Sequence, residues 1–318
     1  MLDDHPINAQ SLEKHYGIKG KTLQRQYKES LSDFKSWSQK EHAENYLLFP
    51  DNLGPFLSID QTALSKGELY TILTNKCKRG KKGSIVAMAK GTKAEVIIDI
   101  INHIPKVKRD LVQEVTLDMA ASMNMIVKRY FTKATCVTDR FHVQKLAFET
   151  VQEIRIKYRW EALEEENQNK GPMTFENGDS PKQLLARSRY LLLKSSSKWT
   201  PSQIIRSKLL FKEYPSINAA YKLSMQLSSI YEHTKEKGIA LTKMARWFNE
   251  VEKSQFSSFK TIKKTFYNHY QSILNYFDSR STNAAAESFN AKIKDFRRSF
   301  RGVRDISFFL FRITKIFA

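Results

Sequence analysis

Strand signals in this chain are confined to one stretch, and that confinement limits the folds open to it. Between residues 55 and 143, β-prone runs alternate with turns and amphipathic helices; from about 144 to 280 no run reads as a strand. "PFLSIDQTAL" (55–64), "GELYTILTN" (67–75) and "GSIVAMAKG" (83–91) predict a three-strand meander, its last two strands joined by the basic turn "KCKRGKKG". "TKAEVIIDIINHIP" (92–105) has the period of an amphipathic helix, with Thr92 as the expected cap, Glu95 completing a capping box and Pro105 beyond the end. "VQEVTLDMA" (112–120) predicts a fourth strand, "ASMNMIVKRYF" (121–131) a second helix and "ATCVTDRFHV" (134–143) a fifth strand. The order is βββαβαβ, with strands added in parallel after each helix, so the class is α/β.

The remainder divides around that block. Residues 1–50 form a small helical N-terminal region, 55–146 the first part of the sheet domain, 147–280 an all-helical insertion and 281–318 a terminal helical part of the same domain. In "SLEKHYGIKGKTLQRQYK" (11–28) two short helices flank Gly17. They suit a helix-turn-helix, with Lys21, Thr22, Gln24 and Arg25 opening the recognition helix, or equally a charged helical hairpin. Residues 29–50 read as helix before looping out at "LLFPDNLGP", and "QNKGPMTFENGDSPK" (168–182) reads as a loop. Four tryptophans, Trp37, Trp160, Trp199 and Trp247, are expected in packing roles, with base stacking the alternative for Trp247.

The chain carries 53 Lys and Arg against 33 Asp and Glu, a net charge of +20. Such an excess calls for a polyanionic partner, and nucleic acid is the commonest. No lipidation motif or long basic amphipathic stretch supports a membrane surface instead. The N-terminus shows no secretory pattern, and no run approaches eighteen apolar residues. Cys77 and Cys136 are far apart with no CxxC partner, which suits a reduced, cytoplasmic setting without structural zinc.

Against this basic background three acids stand out. Asp60 follows "FLSI" and Asp118 follows "EVTL", each at the expected carboxyl end of a strand, where open α/β sheets gather their ligands. Paired carboxylates repel, and a divalent cation removes the penalty; hard oxygen donors suit Mg²⁺. Glu287 lies in "STNAAAESFNAKIKDFRRSFRGVR" (281–304), a helix that Ser281 or Thr282 could cap. At helical spacing Asn283, Glu287, Asn290 and Lys294 share one face, while Ala285, Phe289, Ile293 and Phe296 form an apolar one. Glu287 is then a third metal ligand, or a solvated acid balanced by Lys294 or Arg280.

Taken together, "SIDQTALSKGELYTI", "VTLDMAASM", "VTDRFHV" and "STNAAAESFNAKIKDFRRSFRGVRDISFF" resemble the DDE transposases of bacterial insertion sequences, in particular the ISL-three family, from about Leu57 to Phe311. The resemblance implies a ribonuclease-H-like mixed sheet interrupted by the helical insertion. It implies Asp60, Asp118 and Glu287 as the metal-binding catalytic triad, and Asp139 and His142 of "DRFH" as auxiliary catalytic residues. It implies two Mg²⁺ ions, with Mn²⁺ able to substitute, cleavage at the element ends and strand transfer into target DNA. Lys294, Arg297, Arg298, Arg301 and Arg304 would hold phosphates beside the scissile bond, with Lys81, Lys82 and Arg25 gripping DNA elsewhere. Partners would be element-end and target DNA, a second copy of the chain assembled on DNA, and a separate end-recognition polypeptide, since the cysteine-rich zinc module of many relatives is missing before Cys77. The setting would be the bacterial cytoplasm, at the nucleoid. A decayed, purely DNA-binding copy and a ribonuclease-H-like nuclease without strand transfer are the rival readings.

Overall fold

The computed structural model describes residues 1–65, 67–168, 174–254, 256–300 and 303–318. The chain divides into two compact units, Met1–Asp139 with Ser281–Ala318, and Arg140–Arg280. Among the described residues no helix is long and apolar enough to cross a membrane.

The first unit is built on a six-stranded mixed sheet. Its strands are β1 (Tyr46–Leu48), β2 (Phe56–Ser65), β3 (Glu68–Asn75), β4 (Ile85–Lys90), β5 (Glu114–Leu117) and β6 (Thr135–Thr138). They lie in the order β1-β4-β3-β2-β5-β6. The meander β2–β3–β4 is antiparallel, β1 adds antiparallel to β4, and β5 and β6 add in parallel beyond β2.

Helices cover both faces. Here α1 (Glu13–Tyr16) and α2 (Gly20–Gln26) open the chain; α3 (Ala94–Asn102), α4 (Lys106–Arg109) and α5 (Ala121–Tyr130) fall between strands. Leu57, Ile59, Val115 and Leu117 meet Ile97, Ile101, Met123 and Ile126 of α3 and α5 on one face. The opposite face receives the chain's last segment. There Leu64, Tyr70, Ile72 and Met88 pack against Phe289, Ile293 and Phe296, and against Phe309, Leu310 and Ile313. The side-chain period of two in a strand makes this division, so Asp60, between Ile59 and Gln61, belongs to the second face.

The second unit is all helix: α6 (Arg140–Gln168), α7 (Pro181–Arg187), α8 (Pro201–Glu213), α9 (Pro215–His233), α10 (Lys237–Lys253) and α11 (Ser257–Ser279). Capping boxes at Ser180 and Thr200, each followed by proline, start α7 and α8. Trp247 is buried and its indole N–H donates to the Leu223 carbonyl at 2.8 Å, which makes it a core residue. Trp160 is 59% exposed, so the packing role expected for it is not met. The first unit then resumes with α12 (Ala284–Ser299) and α13 (Ile306–Phe317).

Several local expectations are corrected. Residues 29–50 are not one helix: the helical turn ends at Leu31, and Tyr46–Leu48 forms the edge strand. α3 begins after Lys93 with no side-chain cap, so the Thr92 capping box does not form. β6 ends at Thr138 and Arg140 opens α6, which places His142 on a helix rather than on a strand. The N-cap of α12 is Asn283, not Ser281 or Thr282, and it makes no side-chain cap bond.

Candidate active site

The register of the parallel strands brings the acids to one end of the sheet. Ser58 pairs with Thr116, so Asp60 and Asp118 each lie two residues beyond the same pair. Leu117 pairs with Thr138, so Asp118 and Asp139 each lie one residue beyond theirs, and the Asp139 amide donates to the Leu117 carbonyl at 3.0 Å. Neighbouring strands stand about 4.8 Å apart. Three aspartates thus sit at adjacent positions, Asp60 on β2 and Asp118 and Asp139 just beyond the ends of β5 and β6. Asp60 does not close its strand, as expected from the sequence. β2 continues to Ser65 because β3 still pairs with it after β5 has ended.

α12 crosses this end of the sheet and supplies the fourth acid. Its apolar stripe, Phe289, Ile293 and Phe296, is buried, which fixes its rotation. Glu287 falls in the first turn, where the helix dipole favours a negative charge. Its carboxylate lies within 4.8 Å of that of Asp139. Two like charges at that separation repel by about 1 kcal/mol in water and about 3 kcal/mol at an effective dielectric of about 20. Asp60, Asp118 and Glu287 do not all three come within that distance of one another among the described residues. Asp60 is instead tied to α12 through Asn290, whose Nδ2 donates to Asp60 Oδ2 at 2.7 Å; Asp60 Oδ1 accepts from the Gln61 amide at 2.8 Å. Asp118 Oδ1 accepts from the Ala120 amide at 2.8 Å.

A buried polar cluster secures the chain where it re-enters the first unit. Lys76 Nζ donates to Thr116 Oγ1 at 2.8 Å and to Ser281 Oγ, and pairs with Glu114 at 3.3 Å. Two residues later Asn283 is fully buried: its Nδ2 reaches the Ile59 carbonyl at 3.5 Å and its Oδ1 has no hydrogen-bond partner. Asn283 and Asn290 therefore touch β2 at consecutive residues, Ile59 and Asp60, on either side of Glu287 along α12.

The hard oxygen donors of Asp139 and Glu287, with the orphaned buried carboxamide oxygen of Asn283 one turn before Glu287, suit a divalent metal ion. His142, in the second unit, has a buried Nε2 with no hydrogen-bond partner among the described residues.

The basic residues are spread more widely. Lys294 is exposed on α12, and Arg298 pairs with Asp295 at 2.9 Å on the same helix. Arg297 donates to the Ala63 carbonyl at 3.3 Å, a tie to β2. Lys81 and Lys82 are exposed in the β3–β4 turn, Arg25 on α2 and Arg304 before α13. Arg301 lies outside the described residues. Sequence reasoning did not single out Asn290 as a contact of Asp60; its place on the Glu287 face was the available signal.

A family model described as "Transposase", for DDE transposases of the ISL3 type, matches residues 57–313. The chain belongs to that family. It is a DNA transposase, a DDE-type enzyme that breaks and rejoins phosphodiester bonds with the help of divalent metal ions. No curated protein matches it. Among solved structures, "Drosophila P element transposase strand transfer complex" is similar at 12% identity and a TM-score of 0.37, over 83% of this chain and 77% of that one. A likeness that distant assigns no residue of this transposase a role.

Proposed function

We propose that the transposase cuts the ends of its element and joins them to target DNA at the carboxylate cluster formed by Asp60, Asp118, Asp139 and Glu287. Asp60, Asp118 and Glu287 are the primary ligands, and Asp139 completes the site beside Glu287. The approach of Asp139 and Glu287 to within 4.8 Å carries this reading, because two hard oxygen donors at that spacing suit a divalent cation. An antiparallel meander followed by two parallel strands supports a ribonuclease-H-like core.

Two Mg²⁺ ions, or Mn²⁺ in their place, would supply positive charge to activate the attacking hydroxyl and to stabilise the leaving 3′-oxygen. The chain's own residues do the rest. Asn290 holds one oxygen of Asp60 and leaves the carboxylate in a fixed orientation. His142 donates to a phosphate oxygen or carries a proton, as an imidazole near neutral pH can. Lys294, Arg298 and Arg304 hold the DNA backbone, with Lys81, Lys82 and Arg25 as outlying contacts. Cleavage by water and strand transfer by a 3′-hydroxyl use the same carboxylates, since only the nucleophile changes, and no covalent enzyme intermediate is required. Assembly of two copies on paired DNA ends, with a separate polypeptide for end recognition, completes the proposal.

The test is a cleavage and strand-transfer assay on element-end DNA with Mg²⁺. Asp118→Asn and Glu287→Gln should each lose both reactions while still binding DNA. Undiminished cleavage in either variant removes that residue from the site.

A further inference from the structure

The turn after β3 sets a lysine among the polar groups of the sheet. Asn75 caps that turn: its Oδ1 accepts from the Cys77 amide at 3.0 Å, and its Nδ2 donates to the Asn52 carbonyl at 2.8 Å. The base of Lys76 is thereby held. The register decides what the lysine faces. Leu57 pairs with Asn75 and Phe56 with Glu114, so Lys76, the next residue, stands across β2 from Glu114. With a side-chain period of two, Glu114, Thr116 and Asp118 point to one face. Thr116 pairs with Ser58, two residues before Asp60, so Asp60 belongs to the same face.

An ammonium has three protons to donate. Lys76 Nζ donates to Glu114 Oε1 at 3.3 Å, to Thr116 Oγ1 at 2.8 Å and to Ser281 Oγ. Thr116 Oγ1 donates in turn to Glu114 at 3.3 Å, and the Ser281 and Thr116 hydroxyls are 3.2 Å apart. The side chains of Lys76 and Glu114 are only 15% and 8% exposed, and Thr116 is fully buried. The donors of Lys76 are therefore used inside the protein and are not offered to a phosphate.

Ser281 is the first residue of the sheet unit after the helical insertion, and Glu287 follows six residues later in the first turn of α12. The buried stripe Phe289, Ile293 and Phe296 fixes the rotation of α12. Apolar contact is non-directional, so it opposes sliding along the helix axis only weakly. Directional bonds oppose it instead. Those from Asn290 and Arg297 reach β2, and that from Lys292 reaches the Gly80 carbonyl in the β3–β4 turn. The junction of Lys76, Ser281 and Thr116 reaches β5, two residues before Asp118.

We propose that Lys76 is a positioning residue of the transposase: through Ser281 it sets the spacing between Glu287 and Asp118, and with it the metal affinity of the carboxylates. The inference rests on both acids being metal ligands, as proposed above. A displacement of about 1 Å far from the chemistry can cost about 100-fold in rate.

Two variants of the full chain cut the tie from opposite sides. Ser281→Ala leaves the ion pair whole; Lys76→Met/Glu114→Gln removes both of its charges together, so no buried charge is stranded. Each should weaken Mn²⁺ binding by about 10–100-fold, read by paramagnetic resonance without DNA. Ser281→Thr, which keeps the hydroxyl, should retain the wild-type affinity. Adding Glu287→Gln to the double variant should cause no loss beyond that of Glu287→Gln alone, because the tie acts through that acid. In cleavage with Mg²⁺ both variants should lower kcat and leave the KM for DNA unchanged. Wild-type Mn²⁺ affinity in both variants, folded by circular dichroism, while Glu287→Gln binds the ion weakly, would overturn the positioning role alone. Wild-type affinity in Glu287→Gln would overturn the metal-site reading beneath it. A salt dependence of DNA binding flattened by about 0.9 in the double variant would place the ammonium on a phosphate and overturn the proposal as well.

Discussion

Asn290 and Asp60 are 230 residues apart in sequence and share a hydrogen bond of 2.7 Å. One is on the helix that carries Glu287, the other on the central strand β2. The bond couples the position of one acid to that of the other, since any shift of α12 along β2 moves both. Asn290 is also buried, so a competing water reaches it poorly.

Replacing Asn290 with leucine keeps the branching at Cγ and removes the donor. Outer-shell hydrogen bonds of this kind are worth about 10–100-fold in metal affinity or activity. Asn290→Leu is expected to weaken Mn²⁺ binding by that factor, read by paramagnetic resonance in the absence of DNA. Asn290→Asp, which puts a second carboxylate against Asp60, is expected to lower metal-free stability as well. Equal metal affinity in Asn290→Leu and wild type would deny the coupling.

Glu287→Gln removes the like-charge contact with Asp139. Asp139 is buried and Glu287 exposed, so without metal the variant is expected to be more stable than wild type, by about 1–3 kcal/mol. With Mg²⁺ the order reverses, because an ion that binds only the folded protein stabilises it by mass action. Thermal melts with and without Mg²⁺ read both signs.

Arg312 ties the N-terminal region to α13. Its guanidinium is almost wholly buried, with Nη2 donating to the His5 and Ile7 carbonyls at 3.3 and 3.0 Å. The rings of Tyr27 and Phe296 flank it, each 5.3 Å away. Burial draws its pKa down, while Tyr27 and Asp3 nearby draw it up. Arg312→Met leaves two carbonyls without their donor and is expected to cost about 2–3 kcal/mol. Urea unfolding measures the loss, and limited proteolysis should find new cutting before residue 12.

The two cysteines should differ sharply. Cys77 is exposed in the β3–β4 turn. Cys136 is on β6, and burial pushes its thiol up to about 11. The thiolate is the reactive form. At pH 8 a thiol reagent is therefore expected to modify Cys77 quickly and Cys136 slowly, until denaturant is added.

The sheet was legible in the sequence because each of its five main strands is an apolar run bounded by turn residues, and the helix between strands has a different period. β1 was not, since three residues carry no pattern and their state is set by pairing with β4. The reach of β2 beyond Asp60 was hidden for a similar reason: where a strand stops depends on which neighbour still pairs with it. Asp118 and Glu287 could be picked out from local pattern, as an acid after an apolar strand and an acid on the polar stripe of a helix. The nearness of Asp139 to Glu287, and the bond from Asn290 to Asp60, follow from how α12 crosses the sheet, and no local window contains that angle.

A crystal soaked in Mn²⁺ and measured for anomalous scattering addresses the carboxylate cluster most directly. The expected result is an anomalous peak about 2.1 Å from carboxylate oxygens of both Asp139 and Glu287, with Asp60 and Asp118 ligating the same ion or its neighbour. Manganese bound elsewhere, with these four carboxylates facing solvent and no metal among them, would contradict it.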